Sequence, residues 1–353
     1  MIPLAQKSEL KFLIIRRDNI GDLVCTTPVF RALCEHTPNA HICALVNSYN
    51  QAVLENNPDI DEIFAYTKAK HRPKGKGSIG VYWDRIQLLW RLRRMHFDYV
   101  ILAAPGYLPR ALKLARIIKP KHIVGFTQPG ALHGIDMGVA YTAPGAMHEV
   151  EDVFRLLAPL GIEQLPPLTR VVADPAEIVS VHAILNAQQW RPVGPLIGIH
   201  ISARKPSQRW PAACFIELIT SLRNKYDATF LLFWSPGDAA NPLHPGDDAK
   251  AREILGALPE MPILGYPTHR LAQLIAALSV CNSVICSDGG AMHLAAGLGK
   301  PILCFFGKSD PERWHPWGVA YVLLQPPSLD VVDISVADAL ANFAVLLQKT
   351  GSA

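Results

Sequence analysis

The sequence lacks most of the marks of a specialised class. It has no CxxC pair and no Cys/His cluster with metal-ligand spacing, which argues against a small metal-built module. Its seven cysteines are odd in number and irregular in spacing, and sit in apolar runs such as Val24-Cys25 and Val284-Ile285-Cys286. Buried thiols in a reducing compartment are the economical reading. The first ten residues lack a basic segment followed by a long apolar one, and Phe12 to Ile15 has the length of a strand rather than of a signal peptide. No run of about 18 apolar residues occurs. The nearest stretch, Leu271 to Cys286, is interrupted by Gln273, Ser279, Asn282 and Ser283. The expectation is a cytoplasmic protein that touches a membrane, if at all, from outside. Internal repeats and low-complexity tracts are also missing.

Charge is sparse. Only 18% of residues are charged, and 34 basic against 30 acidic side chains leave +4, too mild for a nucleic-acid binder. The distribution is uneven, however. Residues 64–125 hold fourteen Lys/Arg against Asp84 and Asp98, whereas the part from Pro175 onward has thirteen basic and fourteen acidic side chains.

What is present is hydrophobic and alternating. The chain has 353 residues, 50% of them hydrophobic, ample for two cored domains at about 150 residues each. Short apolar runs predict strands at Lys11–Arg16, His41–Val46, Asp61–Tyr66, Asp98–Ala103 and His122–Phe126. Helical periods predict helices at Thr26–His36, Tyr82–His96 and Pro109–Ile118. In Tyr82–His96 the residues Trp83, Ile86, Leu89, Trp90 and Arg93 recur at three- and four-residue spacing.

A Gly/Pro-rich stretch to Gly145, a helix Glu149–Leu160 and the proline-bearing Gln164–Leu168 interrupt the pattern, which then restarts. Strands are expected at Leu196–His200, Thr229–Trp234, Ser283–Cys286 and Pro301–Phe305. Helices are expected at Pro211–Tyr226, Leu271–Leu278, Ala291–Leu298 and Val336–Gln348. Such alternation implies an α/β protein with parallel sheets and crossover helices. Two runs joined by a loop-rich centre imply two doubly wound domains, with a cleft between them as the default ligand site.

Two strand-to-helix loops look chemical. The first, Arg16-Arg17-Asp18-Asn19-Ile20-Gly21-Asp22, leaves the carboxyl end of the first strand, where open α/β sheets bind ligands. It is not GxGxxG: one glycine flanked by aspartates and arginines would set carboxylates against a dinucleotide pyrophosphate. Gly21 is expected to make a tight turn that presents Asp22 at the helix start. Asp22 then reads either as a plain helix cap or as a general base beside helix amides and arginines. Asp18 reads more simply as a turn residue paired with Arg16 or Arg17.

The second loop is Ser287-Asp288-Gly289-Gly290-Ala291-Met292-His293. Consecutive glycines at a helix start let backbone N–H groups close on an anion, and a diphosphate is the natural guest. His293, one turn in, is either a phosphate donor or a packed core histidine; Asp288 caps the helix or grips a sugar hydroxyl.

A third stretch, Ser202-Ala203-Arg204-Lys205-Pro206-Ser207-Gln208-Arg209-Trp210-Pro211, suits phosphate oxygens or a solvated loop, with Pro211 read as the first residue of a helix. The basic run containing Lys70, Arg72, Lys74 and Lys76 is either an exposed loop or a clamp for an anionic acceptor or phospholipid surface.

Taken together, Arg17-x-x-x-Gly21-Asp22 with Thr27-Pro28, Arg209-Trp210-Pro211, Asp288-Gly-Gly-x-x-His293-Leu-Ala-Ala, and the Asp310-Pro311 and Trp314-His315-Pro316-Trp317 run resemble the lipopolysaccharide heptosyltransferases of glycosyltransferase family 9. The resemblance spans about residues 11 to 318. It implies a GT-B fold, two Rossmann-like domains facing across a cleft. An acceptor-binding domain over residues 1–168 and a nucleotide-sugar domain over 169–335 follow, with the last helix, 336–353, returning to the first. It implies inverting transfer of L-glycero-D-manno-heptose from an ADP donor to the anionic lipopolysaccharide core, with no metal or other cofactor, transient inner-membrane contact and no nucleic-acid partner.

Carried over by position, the base falls on Asp22 and the diphosphate site on Ser202, Lys205, Gln208, Arg209, Asp288, Gly289, Gly290 and His293. Many members have lysine where this chain has Gln208, so Arg209, Lys205 or Arg204 would supply the charge. Asp238 is the candidate ribose ligand; Arg17, Lys70, Arg72, Lys74 and Lys76 are the candidate acceptor ligands. The rivals are a transferase using another nucleotide-sugar, a sugar-nucleotide epimerase, and a silent binding relative.

Overall fold

The computed structural model describes residues 9–66, 78–128, 134–141, 147–188, 194–241 and 245–351. The chain divides into two compact units, Met1–Arg170 and Val171–Ala353. Each side of that boundary is tied to its own unit. The Arg170 amide donates to Thr27 Oγ1 at 2.9 Å, and the Arg170 guanidinium pairs with Asp59 at 3.3 Å. Val171 N donates to Gly297 O at 2.8 Å, so closely that a Cβ on Gly297 would meet Val171 Cγ2 at 2.5 Å.

In the first unit the order is β1 (Lys11–Ile15), α1 (Ile20–Val24), α2 (Thr27–His36), β2 (His41–Asn47), β3 (Glu62–Tyr66), α3 (Ser78–Arg94), β4 (Tyr99–Leu102), α4 (Pro109–Ile118), β5 (His122–Thr127), β6 (Met137–Ala140) and α5 (Glu149–Phe154). The strands form one parallel sheet in the order β3-β2-β1-β4-β5-β6. Near-continuous apolar strands such as Phe12–Ile15 and Tyr99–Leu102 are buried, as a sheet covered on both faces requires.

The second unit contains α6 (Pro175–Ala187), β7 (Leu196–His200), α7 (Ala212–Tyr226), β8 (Thr229–Trp234), α8 (Asp248–Ala257), β9 (Ile263–Pro267), α9 (Leu271–Val280), β10 (Ser283–Ser287), α10 (Gly290–Gly297), β11 (Ile302–Phe305), α11 (Pro311–Trp314), β12 (Tyr321–Leu324) and α12 (Val336–Lys349). Its parallel sheet runs β12-β11-β10-β7-β8-β9. Read from its own first strand, this repeats the order of the first unit: both sheets are Rossmann-like, with the strand order reversing beside β1 and beside β7.

Several expectations change in detail. Helix α12 packs on α7, β11 and β12, and Phe343 and Leu346 enter the second unit's core. It therefore belongs with the second unit rather than returning to the first. Pro211 is the N-cap of α7 instead of its first residue. The helix expected over Glu149–Leu160 is α-helical only to Phe154 and continues as a 3-10 turn containing Pro159, because proline clashes with the preceding turn of an α-helix.

Strands β6, β9 and β12 and helices α6 and α8 were not anticipated. The three strands are sheet edges: β6 alternates exposure around Gly138, and β9 carries Gly265 and Pro267, a poor strand signature.

Candidate active site

In the first unit the loop after β1 is organised by one buried cation. Arg16 is 1% exposed, and its Nη1 donates to Ala103 O at 2.5 Å, tying the end of β1 to the end of β4 at the switch point. Its Nη2 donates to Asp22 Oδ1 at 2.9 Å and to Glu149 Oε1 at 2.7 Å, and Nε lies 3.2 Å from Asp18 Oδ2. Burial works against the Arg16 charge. The carboxylates of Glu149, Asp22 and Asp18 outweigh it and raise the pKa, as partnered buried arginines require.

Asp22 is not the cap. Asn19 is the N-cap of α1, and Asp22 reaches back from the third helical position. Its Oδ2 accepts from Asn19 N and Asn19 Nδ2, both at 3.0 Å. Gly21 is helical and buried, so the expected tight turn at that position is absent. The Asp22 side chain remains 15% exposed, and a carboxylate has about four lone-pair sites, so an incoming hydroxyl finds acceptor capacity left.

The loop is fixed from β2 as well. Asn47 Nδ2 donates to Arg17 O at 2.6 Å and Asp18 O at 3.1 Å, and Asn50 Nδ2 and the Tyr49 hydroxyl also donate to Asp18 O. Arg17 lies half-buried over the Tyr66 ring at 5.3 Å. Burial and the nearby Arg85 and Arg110 lower its pKa.

The second unit brings together the loops after β7, β10 and β11. Gly289 is the N-cap of α10 at φ +155°, and a Cβ there would meet nothing within 4 Å. Only glycine adopts that backbone without strain, and the open space leaves the first α10 amides approachable. Gln208 Nε2 donates to Asp288 Oδ2 at 2.5 Å and to Ser309 Oγ at 3.0 Å, and Lys205 Nζ donates to the same hydroxyl at 3.2 Å. Asp288 is therefore a partner of Gln208, not the cap of α10.

Ser202 Oγ accepts from Ser235 N at 2.9 Å, joining the loops after β7 and β8. Gly307 presses on Ser207, whose carbonyl oxygen would lie 2.2 Å from a Cβ. Gln325 Nε2 donates to Gly307 O and Ser309 O at 2.7 and 2.9 Å. His293 is buried, edge-on to the Trp314 ring at 5.9 Å. His315 stacks on Tyr321 and Trp317.

The structure separates the three candidate cations. Arg209 is taken by Asp247 and by Ala203 O at 2.8 Å, so it braces the loop. Lys205 is exposed and ends beside Gln208 and Ser309, while Arg204 is exposed without a recorded partner among the described residues. Asp238 is exposed and caps its own turn through Ala240 N at 2.9 Å. Lys70, Arg72, Lys74 and Lys76 lie outside the described residues.

Sequence reasoning missed Glu149 and Lys250. Glu149 arrives beside Arg16 from 133 positions away, so no local spacing could reveal it. Lys250 donates to Ile201 O at 3.2 Å and to Trp210 O, bracing the loop from α8; burial lowers its pKa to about 8. Trp210, fully buried, donates to Ile334 O at 3.0 Å and packs edge-on to Phe215, an anchor in the core.

Among the described residues, ligand atoms of His41, Cys43 and Glu62 lie within 4.8 Å of one another, a cluster that sequence spacing did not show. The chain's register brings Glu62 beside Cys43. Arg91 holds Glu62, and burial raises the Cys43 thiol to about 12, so Glu62 is already paired and the thiol is held protonated. All seven cysteines are free. No described helix is long and apolar enough to cross a membrane.

Comparison with known proteins gives a consistent picture. The model of the family described as Glycosyltransferase family 9 (heptosyltransferase) matches residues 85–328. Lipopolysaccharide heptosyltransferase 2 of Salmonella typhimurium is 24% identical over 326 residues, covering 87% of this chain and 85% of that protein. Among solved structures, the glycosyl transferase family 9 protein of Veillonella parvula superposes with a TM-score of 0.78 at 20% identity, covering 98% of this chain and 99% of that one. The ADP-heptose lps heptosyltransferase II of E. coli superposes at 0.76 and 19% identity, covering 97% and 100%. The pair of Rossmann-like sheets is thus the GT-B fold of these structures.

Proposed function

The chain belongs to glycosyltransferase family 9, the heptosyltransferase family, and from that premise we propose that it transfers a heptose from ADP-L-glycero-D-manno-heptose to the inner core of lipopolysaccharide. The observation that carries the reading is that one unit presents a partly exposed carboxylate, Asp22, and the other a glycine-opened helix start at Gly289-Gly290, each beside the strand-order reversal of its own sheet. Relatives whose names specify lipopolysaccharide heptosyltransfer support the substrate pair.

The step is a single displacement. Asp22 accepts the proton of an acceptor hydroxyl as that oxygen bonds to the anomeric carbon. The bond from that carbon to the ADP phosphate oxygen breaks, and ADP leaves with the electron pair. Arg16 and Asn19 hold the Asp22 carboxylate in one orientation, which matters because a base must be positioned before its basicity is useful. On the leaving side the first α10 amides, Lys205, Ser202 and Gln208 meet the diphosphate, and Asp288 is steered by Gln208 away from a capping role. Such donors, aimed where charge develops, do the work that a divalent metal does in other transferases.

In this reading His293 supports the α10 start from the buried side against Trp314, and Asp238 holds the ribose. Arg17 and the cations Lys70, Arg72, Lys74 and Lys76 meet the acceptor's negative charge, and the protein works against the inner membrane surface. The epimerase alternative would turn over nucleotide-sugar with no acceptor present. The test mixes purified protein with ADP-heptose and truncated lipopolysaccharide acceptors, with and without chelator. The expected result is acceptor-dependent ADP release with a matching gain of one heptose in acceptor mass, unaffected by the chelator. Turnover of the donor alone, or no mass gain, overturns the proposal.

A further inference from the structure

Helix α3 is amphipathic the wrong way round for a helix that faces water. Its inward face carries Leu92, fully buried, with Leu88 and Leu89 packed against the same core. Its outward face carries Trp83, Ile86 and Trp90, exposed by 61%, 55% and 61%. At 100° per residue these three fall within about 60° of arc, so they form one apolar strip rather than scattered exceptions. Leaving two indoles and an isoleucine in water is unfavourable by the area they expose.

The surroundings of this strip say what covers it. Arg93 and Arg94 flank it, both exposed, and the Arg94 guanidinium sits over the Trp90 ring at 4.2 Å. Helix α4 packs beside α3 over the same core, with Arg93 Nη1 reaching Ile117 O at 3.4 Å. The exposed face of α4 presents Arg110, Lys113 and Arg116, and the helix has no acidic residue. Between residues 83 and 121 the only carboxylates are Asp84 and Asp98, and Asp98 is held by Lys121 at 2.7 Å and by Lys11 N at 2.8 Å.

We propose that the outward faces of α3 and α4 form a docking surface for an anionic phospholipid bilayer, with Trp83, Ile86 and Trp90 inserted at the headgroup level and the α4 cations over the lipid charges. Tryptophan at an apolar-polar boundary, arginine flanking it and a cationic field beside it are what an interfacial helix needs. A second copy docked face to face would set these cations against one another, because the only carboxylates between residues 83 and 121 are Asp84 and Asp98, whereas an anionic bilayer brings the opposite charge. The inference deepens the reading of a lipid-anchored acceptor, on which it rests for its purpose. Vesicle binding itself requires neither donor nor turnover, so the two can fail separately.

The test is co-sedimentation of the full chain with vesicles of phosphatidylcholine alone or with phosphatidylglycerol added, at low and high salt. The expected result is binding only to the anionic vesicles, weakened by salt. The variant carrying Trp83→Ser, Ile86→Ser and Trp90→Ser loses at least about tenfold in partitioning, since affinity scales with inserted apolar area. The milder variant Arg94→Gln with Lys113→Gln loses about 25-fold at low salt, each surface cation being worth a factor of about five. Unchanged ADP binding and circular dichroism show that either variant is folded. Equal partitioning of native and variant protein, binding indifferent to lipid charge, or a native dimer that the serine variant converts to monomer would each overturn the proposal.

Discussion

The loop after β1 and the loop after β10 flank the same reversal of strand order from opposite sides, β1 being the first strand of its unit and β10 the fourth of the other, and they are built from opposite chemistry. Around the first, a buried arginine gathers Asp18, Asp22 and Glu149, and Asn47 at the end of β2 and Asn50 just beyond it clamp the backbone. Around the second, a glycine at positive φ opens a helix start, and the surrounding side chains are a glutamine, a lysine and serines with one carboxylate held to the side. The scaffold fixes where chemistry can happen; in the proposed mechanism the loop composition decides whether that place accepts protons or holds anions.

The comparison is broken most severely at Asp22. Asp22→Asn keeps the shape and one acceptor oxygen, gives up either the Arg16 or the Asn19 hydrogen bonds to its amide nitrogen, and removes the base of the proposed step. Turnover is expected to fall by about 10²–10⁴, with the ADP dissociation constant held within about twofold by titration calorimetry. Arg16→Met comes next. It leaves Glu149 buried without its cation, which costs about 3–5 kcal/mol and lowers Tm on the order of 10 °C by calorimetric scanning.

At the other loop, Gly289→Val tests the backbone rather than the charge. An added Cβ meets nothing within 4 Å, but φ +155° is strained for valine. The helix start shifts at a cost of about 1–3 kcal/mol, and ADP affinity drops by about tenfold while Tm moves only a few degrees. An unaltered ADP affinity would remove the amides from the donor site.

The smallest effect concerns His200 at the end of β7. Burial, and then the nearby Lys250 ammonium, lower its pKa from 6.5 to about 4. Between those values the unfolded chain binds a proton that the folded chain does not, so stability is present above pH 6.5 and declines as the pH falls toward 4. His200→Gln is expected to flatten the dependence of Tm on pH across that window; an identical slope in both proteins would assign it to other groups.

Both sheets were legible in the sequence because their inner strands are continuous apolar runs, and Pro109–Ile118, Leu196–His200 and Thr229–Trp234 fall at the expected residues. Edge strands such as β6 were not, since exposure and glycine dilute their pattern. Helix α6 had a legible start in Asp174-Pro175, where Asp174 caps through Ala176 N, but its single buried residue, Val181, gives no periodic face. At the site, glycines, aspartates and cations were visible as types. Their pairings were not: Arg209 goes to Asp247 and Gln208 to Asp288, and Glu149 comes from another element altogether. Distance in sequence hides partners that folding brings together. The inverted face of α3 was visible as spacing, yet which side faced the core needed the fold.

The central claim is a single displacement assisted by one carboxylate, and it leaves a stereochemical signature. Proton NMR of the linkage formed from ADP-heptose should show an anomeric configuration opposite to that of the donor, with no sugar attached covalently to the protein. A product that keeps the donor's configuration would require two displacements and would contradict the account.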